Sequence, residues 1–259
     1  MQFEPPVGNP LGTNRTFKIA AGIVIPILSL FTKRDWRGAN NIPKSGPAMV
    51  ISNHISYADA LLFAHYLYAN GRAVRYLGKD SVFKIPVIGW IIKNAGQIPV
   101  SRQSDKASHA LDSALGLLQA GHCVGIYPEG TLTRDENLWP MVAKTGVARL
   151  AIISKAPVIP VAQWGDQNLL APYSKKVVLW RRTKVTYLAG APLDFSKWYG
   201  KAEDQAALVE ATAYAMAELT KLLEQIRGEL APHEIFDPHK SELPRTGNYK
   251  KNLKRKGNK

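Results

Sequence analysis

The chain has 259 residues, 46% hydrophobic and 21% charged, with 34 lysines and arginines against 20 aspartates and glutamates, a formal charge of +14. That balance suits one large α/β domain or two small ones with ample core, and it excludes a chain disordered throughout. The single cysteine, Cys123, excludes an intrachain disulfide framework and fits a reducing compartment.

The first element is apolar. Ile19 to Phe31 carries no charge, with Arg15 and Lys18 before it and Lys33-Arg34 after it. Its 13 residues fall short of the ~20 needed to cross a bilayer. A signal-peptide core has this length, but the segment runs into Lys33-Arg34-Asp35-Trp36-Arg37 and not into a small-residue cleavage site. Residues 1–39 are therefore expected to form a membrane-association segment, a helix lying in one leaflet with its basic and Trp flanks at the headgroups. A helix packed on the domain is the alternative.

Apolar runs predict strands at 47–52, 73–77, 96–100, 123–127, 158–163 and 184–188. They alternate with helical patterns at about 105–120, 143–154 and 203–227. The alternation implies an α/β fold with a mostly parallel central sheet flanked by helices. The stripe Leu208, Ala215, Leu219, Leu222 and Ile226 is a packing face. Residues 40–230 hold no repeat and no flexible linker, so residues 40–232 are expected to form one domain. Eight of the basic residues fall between Lys240 and Lys259 among few apolar ones, so residues 233–259 are expected to be a disordered basic tail.

The most informative stretch follows the first predicted strand: Asn53-His54-Ile55-Ser56-Tyr57-Ala58-Asp59-Ala60. Ser56 is placed to cap a helix through Ala60–Ala64, with Asp59 at its third position. On a continuous helix residues five apart point roughly 140° from each other. With His54 in the turn before the cap, the carboxylate can instead reach back to the imidazole. This is the base-and-orienter part of a catalytic triad, without its nucleophile. Asp59 is also favourable simply as an anion in the first turn of a helix.

Three further blocks follow strands. Gly96-Gln97-Ile98-Pro99-Val100-Ser101-Arg102 ends on an arginine at the carboxyl end of a strand, where open α/β sheets place ligands and where a guanidinium suits a phosphate. Tyr127-Pro128-Glu129-Gly130-Thr131-Leu132-Thr133-Arg134 is a sharp turn able to line a polar pocket, and Lys144 opens the next helical pattern. Val158-Ile159-Pro160-Val161 is a strand interrupted by proline, a bulge, an edge or a shaped wall. The chain has no Gly-x-Ser-x-Gly elbow, P-loop, His-Glu-x-x-His, dinucleotide glycine pattern or Cys-x-x-Cys pair. No metal and no cofactor is expected.

Asn53-His54-x4-Asp59, Gly96-x-Ile98-x-Val100-x-Arg102, Tyr127-Pro128-Glu129-Gly130-Thr131 and Val158-Ile159-Pro160-Val161 resemble the four ordered blocks of the glycerolipid acyltransferases, most closely the 1-acyl-sn-glycerol-3-phosphate acyltransferases. The likeness covers about residues 40–165, and four blocks in order are far more specific than one. It implies His54 as general base and Asp59 as its orienter, with Asn53, Arg102, Glu129, Gly130, Thr131, Arg134 and Lys144 on the substrate side. It implies acyl transfer from acyl-CoA or acyl-carrier protein to lysophosphatidic acid, giving phosphatidic acid. It also implies a monotopic or peripheral enzyme on the cytoplasmic face of the cell membrane, against an anionic lipid surface and with no nucleic-acid partner. In the third block Leu132 stands where the family usually has arginine, and Arg134 follows two positions later. That extended block resembles actinobacterial members. It leaves open another acceptor, a glycolipid such as a phosphatidylinositol mannoside. A non-catalytic basic membrane-binding protein accounts for the charge but not for the four ordered blocks.

Overall fold

The computed structural model describes residues 3–100, 104–238 and 240–241. In chain order it contains α1 (Arg15–Phe31), β1 (Thr32–Arg37), β2 (Ala48–Ser52), α2 (Asp59–Ala69), β3 (Val74–Lys79), α3 (Asp80–Phe83), α4 (Ile88–Asn94), β4 (Ile98–Val100), α5 (Ser104–Gln119), β5 (Cys123–Ile126), α6 (Gly146–Ser154), β6 (Val158–Trp164), α7 (Asp166–Leu169), β7 (Thr183–Ala189) and α8 (Gln205–Arg227).

The strands form one sheet in the order β1-β7-β6-β2-β5-β3-β4. Every neighbouring pair is parallel except β6 and β7. The predicted α/β class with a mostly parallel, helix-flanked sheet is what the chain adopts. β2 lies at the centre and all five of its residues are buried. A strand covered on both faces has no polar face to present, so its sequence reads as an unbroken apolar run. Its side chains alternate between two cores. Met49 and Ile51 join Leu118, Val124, Leu208 and Ala211 on one face. Val50 joins Leu28, Phe63, Tyr66, Val185 and Tyr187 on the other. Fully burying a side chain such as Leu208 contributes about 1.5–3 kcal/mol.

β1 is absent from the predicted strands. Lys33-Arg34-Asp35-Trp36-Arg37, expected at lipid headgroups, instead pairs in parallel with β7 along the sheet edge. The α/β unit thus begins at Thr32 and not at residue 40. An edge strand with one partner tolerates charge on its open side, so no apolar run announces it. Asp35 offsets that charge locally, sitting 2.6 Å from Arg37 and 3.0 Å from Lys184. The two cations hold its carboxyl down at about 2, against some burial.

α1 is capped by Asn14, whose side chain accepts from the Phe17 N–H at 2.8 Å, and runs through Pro26. One face packs Ala21, Val24 and Leu28 onto the domain. The opposite face leaves Ile19, Ile23, Ile27 and Leu30 between 53% and 65% exposed. Among the described residues no helix is long and apolar enough to cross a membrane.

α8 starts at the Asp204 cap and packs Leu208, Ala215 and Leu219 fully inside, with Leu222 and Ile226 partly covered. Beyond it the chain returns to the domain, where the Phe236 carbonyl accepts from the Val142 N–H. The rest of the basic tail, from 242 onward, lies outside the described residues.

Candidate active site

The carboxyl ends of β6, β2 and β5 lie side by side and carry three consecutive loops. His54 follows β2. Its Nδ1 lies 2.8 Å from Asp59 Oδ2, and the same oxygen accepts the N–H groups of Ile55 at 2.7 Å and Ser56 at 2.9 Å. Ser56 Oγ accepts in turn from the Ala58 N–H. Regular helix begins at Asp59, two residues later than a Ser56 cap predicts. The bond from the Ser56 N–H to the Asp59 carboxylate is nonetheless one half of a capping box, its acceptor shared with the imidazole. Asp59 is wholly buried, while the His54 side chain is 19% exposed.

The imidazole lies on an aromatic floor. Tyr127 stacks on it with ring centres 4.1 Å apart. Tyr127 in turn contacts Tyr76 and Phe63, and Phe63 stacks on Tyr187. Large rings with few rotamers fix the plane of the histidine.

Glu129 ties the loops together. Its Oε1 accepts from the His54 N–H at 3.2 Å and its Oε2 from the Met141 N–H at 3.1 Å. It therefore shapes the pocket by holding two backbone segments. Asn53 does the same on the other side. Its side chain pairs with the backbone N–H and C=O of Gln163, and the Gln163 amide donates to the Asn53 carbonyl. Both residues are buried.

The loop after Glu129 wraps the histidine, with the Thr133 N–H donating to the His54 carbonyl at 2.8 Å. Gly130 is left-handed at φ 70°, and a Cβ there would sit 3.2 Å from Lys144 Nζ. Lys144 is exposed and Thr131 half-buried at this rim. Arg134 is buried beside Tyr173, its guanidinium 6.0 Å from the ring centre. Arg102 lies outside the described residues. Among the described residues no cluster of His, Cys, Asp and Glu is arranged for a metal ion.

The loop after β6 adds a residue that the four blocks do not contain. Asp166 is fully buried, accepts from the Tyr187 hydroxyl, and lies within hydrogen-bonding reach of Asp59. A carboxylate two residues past the carboxyl end of a buried strand is a signal that sequence alone offers.

Burial pushes the Glu129 carboxyl up from an ordinary 4.5 to about 8, with the nearby Asp59 charge adding to the rise. Asp166 is raised well above its usual range by burial and then by Asp59. A raised folded value means that the folded chain keeps a proton the unfolded chain has released. Stability is then fullest below the unfolded value and falls as pH rises toward the folded one. For Glu129 alone the loss between pH 6 and pH 8 is about 2 kcal/mol. Thermal unfolding is expected at a lower temperature at pH 8 than at pH 6, and Glu129→Gln narrows that difference. An unchanged or reversed order would contradict these carboxyl assignments.

An apolar cleft of about 480 Å³ lies between α1, α2 and α4, lined by Val24, Leu28, Leu61, Tyr68, Ile88 and Ile92 among others. Tyr76 also lines it. The stacked Tyr76–Tyr127 pair thus links the wall of the cleft to the imidazole. His65 in its wall stays neutral, since burial lowers it to about 4. A larger cleft of about 1160 Å³, with Arg75, Lys93 and His122, opens at the amino ends of β3 and β5, away from His54.

Known proteins resemble this chain in sequence and in fold. An acyltransferase family model matches residues 33–164, half of the chain, and takes in His54, Asp59 and the Glu129 loop. A 1-acyl-sn-glycerol-3-phosphate acyltransferase of Bacillus subtilis is 28% identical over 213 residues, covering 81% of this chain and all of that protein. A chloroplast enzyme of the same name from Brassica napus is 30% identical over 150 residues, 57% of this chain and 42% of that protein. The chain thus spans about four-tenths of the chloroplast relatives' length. The crystal structure of the 1-acyl-sn-glycerophosphate acyltransferase from Thermotoga maritima superimposes with a TM-score of 0.63 at 23% identity, over 83% of this chain and 81% of that one. That likeness shows the fold. A family-model match over half of the chain, with the histidine loop inside it, places the chain in the acyltransferase family.

Proposed function

We propose that this chain moves a fatty acyl group from an acyl thioester, acyl-CoA or acyl-carrier protein, to the free hydroxyl of lysophosphatidic acid, giving phosphatidic acid. The observation that carries the reading is the 2.8 Å contact between His54 Nδ1 and buried Asp59 Oδ2 at the carboxyl end of the central strand. Asp59 fixes the tautomer with the proton on Nδ1, so Nε2 is the basic nitrogen. Nε2 takes the proton of the acceptor hydroxyl as its oxygen attacks the thioester carbonyl carbon. The tetrahedral oxyanion collapses, the C–S bond breaks, and the thiolate leaves with the proton that His54 returns. The acceptor supplies its own nucleophile, so no acyl-enzyme forms. The 480 Å³ apolar cleft suits the acyl chain. Lys144 at the rim, with Arg102, suits the acceptor phosphate.

The same reading places the protein on the cytoplasmic face of an anionic membrane. The exposed side of α1 presents Ile19, Ile23, Ile27 and Leu30, and a loop beside it presents Leu179 and Trp180, the latter 81% exposed. Arg182 joins the two by donating to the Ser29 and Thr32 carbonyls at the end of α1. Apolar side chains amid Lys175, Lys176 and Arg181 suit an interfacial, lipid-facing surface.

Leu132 favours a second acceptor reading. It is buried at the place where the resembled third block usually carries an arginine, which would leave the pocket one cation fewer at that point. Purified protein offered lysophosphatidic acid, glycerol 3-phosphate and a lysoglycolipid is expected to prefer the first. Preference for the glycolipid would move the acceptor to that class and leave the chemistry intact.

A further inference from the structure

Behind the His54–Asp59 pair lies a second buried carboxyl for which the proposed mechanism has so far no use. Asp59 Oδ2 takes three N–H donors, from His54, Ile55 and Ser56. Asp59 Oδ1 is buried and receives no well-formed donor, and the Asp166 carboxyl and the Gln163 side-chain amide are the remaining polar side chains acting on Asp59. Asp166 mirrors it. Its Oδ2 accepts from the Tyr187 hydroxyl, and its Oδ1 is buried without a donor. Two carboxylates in contact in a dry interior cannot both be charged, so one proton sits between them. Asp59, with its three N–H donors, is the better place for the charge. Asp166, with one hydroxyl, is the better place for the proton.

We propose that Asp166 is a positioning residue that stays protonated and donates its Oδ1–H to Asp59 Oδ1, locking the Asp59 carboxylate in line with His54. The resulting chain of donors runs Tyr187 O–H to Asp166 Oδ2, Asp166 O–H to Asp59 Oδ1, and His54 Nδ1–H to Asp59 Oδ2. Every link in it runs from a donor to an acceptor. The backbone is built to hold this order. Gly165 lies at φ 106°, where a Cβ would come within 2.1 Å of the Lys184 carbonyl, and it turns the chain so that Asp166 faces inward. Ser56 Oγ donates to the Leu170 carbonyl at 2.6 Å, pinning the turn that carries Asp166 to the loop that carries His54. Besides Asp59, the titratable groups on which the Asp166 charge bears are the buried hydroxyls of Tyr76, Tyr127 and Tyr187. Burial holds all three neutral, so they do not compete for the charge. By taking a share of the Asp59 charge, the Asp166 hydroxyl keeps Asp59 from binding the proton itself.

The catalytic part of this proposal rests on His54 acting as the base; the proton on Asp166 does not, and the test separates the two. Asp166→Asn is neutral at every pH, keeps an N–H donor for Asp59 and an acceptor for Tyr187, and is expected to stay within about 3-fold of wild type. Asp166→Leu is similar in size and donates nothing. It is expected to lose about 10- to 100-fold in kcat, the range for a hydrogen bond to a charged group, with the acceptor KM little changed. The acidic limb of its kcat/KM profile is expected to move to higher pH, because an Asp59 without that donor raises the basicity of the imidazole. Infrared difference spectra of resting protein at neutral pH are expected to show a protonated-carboxyl band in wild type that Asp166→Asn removes. That readout needs no turnover and also decides the matter if Asp166→Leu does not fold. Absence of such a band would overturn the proposal while leaving His54 untouched. So would Asp166→Asn proving as inactive as Asp166→Leu.

Discussion

His54→Ala is expected to lower the acyl-transfer rate by about 10²–10⁴-fold, the contribution of a positioned general base, with the KM for both substrates little changed. The reasons are geometric. The imidazole is held through Asp59 on one nitrogen and by the Tyr127 ring across its face. Neither contact serves to bind a substrate, so removing the ring removes proton transfer and leaves binding in place. The backbone of the loop is anchored independently, because Glu129 accepts from the His54 N–H and Thr133 donates to the His54 carbonyl. The variant is therefore expected to fold, with a somewhat lower unfolding temperature because buried Asp59 loses one donor. Residual activity reflects orientation of the two substrates and stabilisation of the oxyanion. Steady-state rates with the thioester saturating, beside a melting curve, make the comparison. A variant within a few-fold of wild type would remove the base from His54.

Ile23→Asp with Ile27→Asp is expected to weaken binding to anionic vesicles by about 10²-fold or more. Each isoleucine is over half exposed on the outer face of α1. Burying an aliphatic side chain in lipid contributes about 1.5–3 kcal/mol, and each aspartate adds repulsion from an anionic surface. Neither residue packs on the domain, so folding is left alone and activity on short-chain, micelle-free substrates persists. Co-sedimentation with vesicles of phosphatidylglycerol and phosphatidylcholine measures the loss. The basic loop around Trp180 predicts that wild-type binding also weakens with salt. Equal vesicle binding by the double variant would mean that the exposed face of α1 does not meet lipid.

The parts of this fold that are legible in the sequence are those where one physical demand dominates. β2 and β5 are buried and read as unbroken apolar runs, and β6 as an apolar run interrupted by Pro160. α5 and α8 show a clear helical stripe and stop at Gly121 and Gly228. β1 escapes because an edge strand makes no such demand on its side chains, and a Lys-Arg-Asp-Trp-Arg run is as good a headgroup flank as a strand. The predicted helix at 143–154 begins at Gly146, because the Met141 and Lys144 N–H groups donate to the Glu129 loop. In the site, the His54–Asp59 contact follows from a turn and a cap. The inward roles of Asn53 and Glu129 do not, because a polar residue in a loop motif reads equally well as a substrate contact or as a strut. Asp166 and Tyr187 meet Asp59 only through the pairing of β6 with β7 and β2, which no local pattern encodes.

The most direct test of the central claim is thiol release from acyl-CoA by the purified chain, followed with and without lysophosphatidic acid at enzyme concentrations high enough to see one turnover. Direct attack by the acceptor predicts no release, and no single-turnover burst, until the acceptor is added. Release then matches phosphatidic acid one for one. A stoichiometric burst of thiol without acceptor, leaving acyl groups on the protein, would contradict it.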